Sequence, residues 1–425
     1  KSRRGIELIQ RFARENLERR GKPELARRIA PYRGGYTPQQ RREIEARLTS
    51  GELLAVVATD ALELGIDVGE LEAAICVTFP GTVASLRQMW GRAGRRRRGL
   101  AVYVAGQDAL DQFFCRHPDE FLERPVEAAI LDHANEQIAA RHLVAAAYEL
   151  PLTDADAEVF GDGWRERAER LLAAGELRGA GGKLRPRRND FVASRIALRS
   201  ASADSVAVIE RESGEMLGMV EAERAFTTIH PGAIYLHLGR SYEVERLDVE
   251  ERRAIVSSFD GDWYTRPKKE TEIYIERTRE QREVAGVQLN FGDVSVTEQV
   301  IAFQRVSISE QEPIDIVALE LPEQSFVTQA LWYVLPRKLS AALPSDVLLG
   351  ALHATEHGQI AVLPLIAMCD RWDIGGLSTN AHPQTGGPTI FIYDGHPGGI
   401  GITRRGYDAF DRLVLDAQRL IGECP

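Results

Sequence analysis

Cysteine is scarce in this 425-residue chain. Its four residues, Cys76, Cys115, Cys369 and Cys424, stand too far apart to form a disulfide framework, which excludes a stapled secreted fold and points to a reducing cytosol. No apolar run approaches the roughly 20 residues that span a bilayer, and no secretory leader is visible, so no membrane partner is expected. A GxxxxGKS/T loop and an acidic box for magnesium are also missing, so the chain lacks the phosphate cradle of a nucleotide-hydrolysing engine. Gly179-Ala180-Gly181-Gly182-Lys183-Leu184 has the wrong spacing, follows no buried strand, and reads as a turn. The first residue is lysine rather than methionine and an opening strand is missing, the pattern expected of a piece of a longer polypeptide. Basic charge falls short overall, with 53 Lys and Arg against 63 Asp and Glu for a net of −10. The deficit is uneven. Residues 1–100 hold 20 basic against 12 acidic side chains (+8) and the remainder 33 against 51 (−18), which is consistent with a polyanion-binding face on one part only. Length predicts two to four domains, and 44% hydrophobic with 27% charged content is ordinary for a globular protein.

The stretch from Val56 to Arg98 organises the rest. An apolar run from Leu53 to Val57 ends in Thr59-Asp60, as a buried parallel strand does when it delivers a loop to a site. Gly65 then marks a left-handed stop before Ile66-Asp67, and a second buried run, Ala73 to Phe79, closes on Pro80-Gly81. In the helix expected next, Gln88, Arg92 and Arg95 fall at i, i+4 and i+7 and share one stripe. Two guanidiniums and an amide make poor core but suit an anion held before the strand ends, where forked donors meet phosphate oxygens. A solvated arginine-rich helix is the plainer alternative.

TDALELGID, residues 59–67, resembles the motif that ends a strand in the second RecA-like lobe of superfamily 2 helicases, and QMWGRAGR, residues 88–95, resembles their QxxGRxxR helix. The resemblance implies that Arg92 and Arg95 are arginine fingers on the γ-phosphate of ATP, with Gly65, Asp67 and Gly91 also lining the nucleotide and Asp67 meeting its ribose. Thr59 would touch a DNA phosphate, and Gln88 would couple nucleotide state to DNA grip. Arg3 and Arg4, at a helix start with Ser2 and Gly5, match a backbone-contacting position, although a solvated basic terminus reads almost as well. The Arg33-Gly34-Gly35 turn resembles a loop that lies along the translocated strand. The ATP and Mg2+ site would be completed by an N-terminal RecA-like lobe absent from this chain.

Beyond about Asp108 the α/β rhythm stops. Helices over Glu127–Tyr148 and Trp164–Leu177, then a basic hairpin, resemble a winged helix whose wing offers Lys183, Arg185, Arg187 and Arg188 to DNA. A solvated charge run is the alternative. Short alternating strands dominate residues 191–319, with Ser205–Glu210, Ala233–Leu238, Glu272–Ile275 and Val294–Arg305 as examples. IHPGAIYLHLGRSYEV, residues 229–244, resembles a segment of one helicase clade, and His230 and His237 read as structural.

Helices are expected over Gln324–Val334 and Ser345–Met368, and the second holds the H-x-x-E-H array His353, Glu356 and His357. Helical spacing puts both imidazoles on one face, a pattern shared with zinc peptidases, although a downstream acidic ligand is not evident. A strand over Ile390–Tyr393 then enters a Gly-rich turn from Asp394 to Gly401. That turn suits either an anion cradle or a tight bend. CDRWDIGG (369–376), FIYDGHPGGIG (391–401) and the terminal Cys-Pro resemble the zinc-binding domain of MrfA-type bacterial DNA-repair helicases. In that family further cysteines follow Cys-Pro, so Cys424 would be one member of a zinc site that cannot close here, with Cys369 a weak second. Little stoichiometric zinc is therefore expected in this chain.

The expected fold is α/β. It comprises a RecA-like parallel-sheet lobe (1–125), a winged-helix-like region (126–190), a small β-rich barrel-like domain (191–320) and a mainly helical MrfA-type domain (321–425). The resemblance implies an ATP-dependent 3′ to 5′ DNA helicase acting in repair, cytoplasmic and nucleoid-associated, with DNA and the N-terminal lobe as partners. A non-catalytic nucleic-acid-binding module and a zinc peptidase are the competing classes.

Overall fold

Cap residues set the boundaries of the opening α/β units. Helix α1 (Arg3–Arg19) begins where the Gly5 amide donates to the Ser2 hydroxyl at 2.8 Å. A short α2 (Pro23–Ala26) precedes strand β1 (Ile29–Tyr32). Helix α3 (Pro38–Thr49) starts on a capping box of Thr37 and Gln40, with Pro38 in its first turn, and leads to β2 (Ala55–Ala58), parallel to β1. A second parallel pair, β3 (Ala73–Val77) and β4 (Leu100–Val104), brackets α4 (Val83–Trp90) and is followed by α5 (Ala109–Arg116) and α6 (Pro118–Glu123). The computed structural model describes residues 2–63, 71–130, 135–161, 163–188, 191–196 and 205–424. Gly65 and Asp67 lie outside them.

The next unit packs α7 (Glu136–Glu149), α8 (Ala157–Phe160) and α9 (Trp164–Ala173) around Leu143, Leu152, Trp164 and Leu177. Strands β5 (Leu177–Ala180) and β6 (Lys183–Pro186) form its hairpin. Gly181 and Gly182 both have positive φ (60° and 72°), as a two-residue turn that follows strand twist requires.

A five-stranded sheet follows, from β7 (Ser205–Glu210), β8 (Met216–Glu221), β9 (Ile234–His237), β10 (Arg240–Asp248) and β11 (Arg253–Ser258), with α10 (Ala225–Thr228) between β8 and β9. Its order is β8-β7-β11-β10-β9, and only β7 with β11 is parallel among the pairs described.

The last sheet departs most from expectation. Strands β12 (Trp263–Val284) and β13 (Val287–Ser307) are 22 and 21 residues long and meet at Ala285-Gly286, both at positive φ. Strand β14 (Pro313–Ala318) pairs on β13, as does β15 (Gln324–Val334), the segment expected to be helical. Phe326, Ala330 and Val334 mimic a helical period, but Leu331, Trp332 and Tyr333 sit between two paired neighbours, and ladder pairing wins. After α11 (Arg337–Ser340) and α12 (Ser345–Val362) come β16 (Ile374–Thr379) and β17 (Thr389–Asp394), giving the order β12-β13-β15-β17-β16. This sheet runs through the boundary expected at residue 320. Helices α13 (Ile402–Asp408) and α14 (Phe410–Gly422) close the chain.

The largest core joins its two ends. Phe79, Leu86, Phe114 and Phe121 are buried in one cluster with Leu331, Leu363, Phe410 and Leu413. Phe79 lies 4.9 Å from Phe114 between ring centroids, and each such ring contributes about 1.5–3 kcal/mol by burial. The C-terminal region is thus seated on the half of the first lobe that carries the arginine-rich segment.

Candidate nucleotide and nucleic-acid interface

Helix α4 is shorter than its sequence stripe implies. It ends at Trp90 with Gly91 as cap, so Arg92 and Arg95 lie in the turn beyond and do not share a helical face with exposed Gln88. Glycine chemistry breaks the stripe: Gly94 has φ 69°, and a Cβ there would come within 2.6 Å of the Gly99 backbone. The half-buried Arg92 guanidinium donates to the Glu63 carbonyl, and Glu63 in turn accepts from Ser85 Oγ at 3.0 Å. Arg95 is exposed. The segment carrying Arg92 and Arg95 is therefore tied to the end of the TDALEL segment through Arg92, while exposed Arg95 donates to the Gly91 carbonyl at 3.5 Å. The start of α4 is already filled, because Val83 and Ala84 amides donate to Glu127 at 2.7 and 3.2 Å.

Three expected DNA contacts are redirected inward. Arg33 is 1% exposed and does not face solvent. Its Nε donates to Glu7 at 3.0 Å, its Nη2 to the Leu236 carbonyl at 2.7 Å, and its plane lies 4.5 Å from the Tyr36 ring centroid. Burial opposes its charge, but Tyr235, Glu7 and Tyr36 outweigh burial and raise its pKa. Arg4 donates to the Thr265 carbonyl at 2.6 Å and stacks on Tyr264, while Arg3 pairs with Glu221. All three bind the first lobe to the strands beyond it. The Gly34-Gly35 turn is also covered on one side, since the Met219 amide donates to the Gly35 carbonyl at 2.9 Å. Half-buried Thr59 accepts from the Ala61 amide at 3.3 Å and caps a short turn.

His237, 3% exposed, shares this joint. Its Nε2 meets Gln40 Nε2 at 3.3 Å, between the rings of Tyr36 and Tyr235. Burial, then the Arg33 charge, lowers its pKa from 6.5 to about 3. The unfolded chain therefore binds a proton that the folded chain refuses between those values, so stability falls with acid below pH 6.5. At pH 5 the loss is roughly 2 kcal/mol. Urea midpoints at pH 7 and 5 check this: His237→Gln should show a smaller drop than the parent, and equal drops would refute it.

The hairpin side chains Lys183, Arg185, Arg187 and Arg188 are all exposed. The register adds Arg178, directly across from Arg185. Like charges facing each other weaken a two-stranded hairpin and favour an anion between them.

Three family models match this architecture: a helicase conserved C-terminal domain over residues 5–97, an ATP-dependent helicase HRQ1 winged helix domain over 131–201, and a MrfA Zn-binding domain over 355–425. The chain is 34% identical over 433 residues to the ATP-dependent helicase YprA of Bacillus subtilis (strain 168), covering 100% of this chain and 57% of that protein. It is 30% identical to the ATP-dependent helicase hrq1 of Schizosaccharomyces pombe, covering 99% of this chain and 41% of that one. A crystal structure of the DUF1998 helicase MrfA bound to DNA matches 100% of this chain and 57% of its own, with a TM-score of 0.73 at 34% identity. The chain is homologous to the C-terminal part of MrfA-type helicases. It spans about half the length of the curated relatives it matches.

Within the region matched by the MrfA-type zinc-binding model, the Gly-rich turn holds an anion of its own. Asp394, 0% exposed, accepts from the amides of Ile400 (2.6 Å), Gly401 (2.9 Å), Ile402 (3.3 Å) and Thr403 (2.7 Å). The cradle is filled by the protein itself. Asp394→Asn places an amide donor against one of these N–H groups and should cost about 3 kcal/mol in a urea titration. A change under about 1 kcal/mol would mean the turn does not depend on the carboxylate.

Cys369 and Cys424 are the two cysteines of the region matched by the zinc-binding model. Burial and the acidic neighbours Asp373, Asp394 and Asp370 push the Cys369 thiol up, and Cys424 is exposed. Among the described residues neither belongs to a group of three converging ligands. No described helix is long and apolar enough to cross a membrane.

Proposed function

We propose that the chain is the C-terminal portion of an ATP-dependent helicase that moves 3′ to 5′ on single-stranded DNA in repair. What carries this reading is the likeness along the whole chain to MrfA bound to DNA. A related MrfA structure bound to DNA and AMPPNP, with a TM-score of 0.71, supports a nucleotide-driven cycle.

In this reading ATP and Mg2+ are held mainly by an N-terminal lobe, and this chain closes the site from the other side. Arg95, exposed beside α4, and Arg92, held at Glu63, turn toward the γ-phosphate as the lobes meet and offset its developing charge. Gly91 caps the helix end from which the segment departs, and Gln88 relays closure to the DNA side. In the same reading Gly65 and Asp67 contribute to the nucleotide side of the site. The basic hairpin of Arg178, Lys183, Arg185, Arg187 and Arg188 grips phosphates, while closing and reopening of the lobes advances the strand. DNA-stimulated ATP hydrolysis by the full-length protein tests the proposal. Hydrolysis that ignores DNA, or persists without Arg92, would overturn it.

A further inference from the structure

We propose that His353, Glu356 and His357 form a divalent-metal site of the zinc type on α12, independent of the cysteines. The two histidines are one turn apart, and their Nε2 atoms face each other at 3.1 Å with rings in T-shaped contact at 4.4 Å. Two nitrogens bound to one tetrahedral ion at about 2.05 Å each would be about 3.3 Å apart, so the imidazoles already stand at ligand separation. Glu356 is the third donor, and the ligand atoms of all three residues lie within 4.8 Å of one another. Among the described residues no other such group of three occurs.

The carboxylate is also built into place. Glu356 is 5% exposed, and Ser378 Oγ on β16 donates to it at 2.6 Å, the outer support that orients metal ligands. Opposite stands Gly376, where a Cβ would come within 2.5 Å of the other carboxylate oxygen. Arg371 is close enough to feel the same charge, so cation and guanidinium share it. The histidines face solvent, which leaves the ion an entry path and an open coordination position. Bound there, it would clip α12 to β16 through Glu356 and Ser378.

The test is direct metal binding by this chain, without any activity readout. Chelator-stripped protein is loaded with Zn2+, passed through gel filtration and assayed by mass spectrometry, with calorimetry for affinity. One retained equivalent is expected, lost in His357→Ala and in His353→Ala and kept in Cys369→Ser and Cys424→Ser. Ser378→Ala should weaken affinity about 10–100-fold. Circular dichroism of the exposed-histidine variants verifies that they remain folded. Absence of retained zinc in the parent overturns the proposal, as does zinc that survives both histidine substitutions but is lost with the cysteines.

Discussion

Arg33→Ala is expected to destabilise the joint between the first lobe and the five-stranded sheet by about 3–5 kcal/mol. Arg33 and Glu7 are each about 1% exposed at the side chain, and four further groups depend on them. Glu7 accepts from Tyr36 and from the Gly239 amide at 2.9 Å, while Arg33 reaches Tyr235 and the Leu236 carbonyl. Removing the guanidinium leaves a buried carboxylate facing only neutral donors. Arg33→Lys should rescue little, because a point charge cannot span Glu7 and the Leu236 carbonyl while stacking on Tyr36. Urea unfolding followed at the aromatic residues reads the loss. A change below about 1 kcal/mol would mean water enters the joint.

Arg92→Ala in the full-length protein is expected to lower the ATP hydrolysis rate about 10³-fold. DNA affinity should stay within about twofold, since Arg92 contacts the Glu63 carbonyl rather than the hairpin. Arg95→Ala should fall similarly. Turnover within about tenfold of the parent for both variants would remove the finger assignment. A parallel loss of DNA binding would instead make the segment part of the DNA track.

The parts legible in the sequence were those whose chemistry is local. The parallel strands around residues 55–58 and 73–77 and the i, i+4 imidazole pair on α12 need only neighbours in the chain. The failures have one physical source, long-range partners. Strand β12 carries KKETEIYIERTREQREV on a largely exposed edge, so charge hid 22 residues of extended chain behind an apparent four. Strand β15 was read as helix because its pairing on both sides is invisible locally. Arg33 looked like a phosphate contact because Leu236, Tyr235 and the Gly239 amide lie about 200 residues away. Arg92 and Arg95 lie beyond the end of α4 rather than on one helical stripe, and Gly94, at positive φ, was the available signal. The Gly-rich turn was open between cradle and bend, and buried Asp394 settles it as a cradle for the chain's own carboxylate.

The most direct measurement is binding of this chain to fluorescent single-stranded DNA by anisotropy across a salt series. Affinity is expected to fall linearly on a log–log scale with a slope of about −0.7 per phosphate contact. Replacing Lys183, Arg185, Arg187 and Arg188 with alanine should flatten the slope by about 0.7 for each contact removed. Replacing Arg33 should leave the slope unchanged wherever the fold persists. No binding at low salt, or a slope indifferent to all four hairpin substitutions, would contradict the assignment of this surface to DNA.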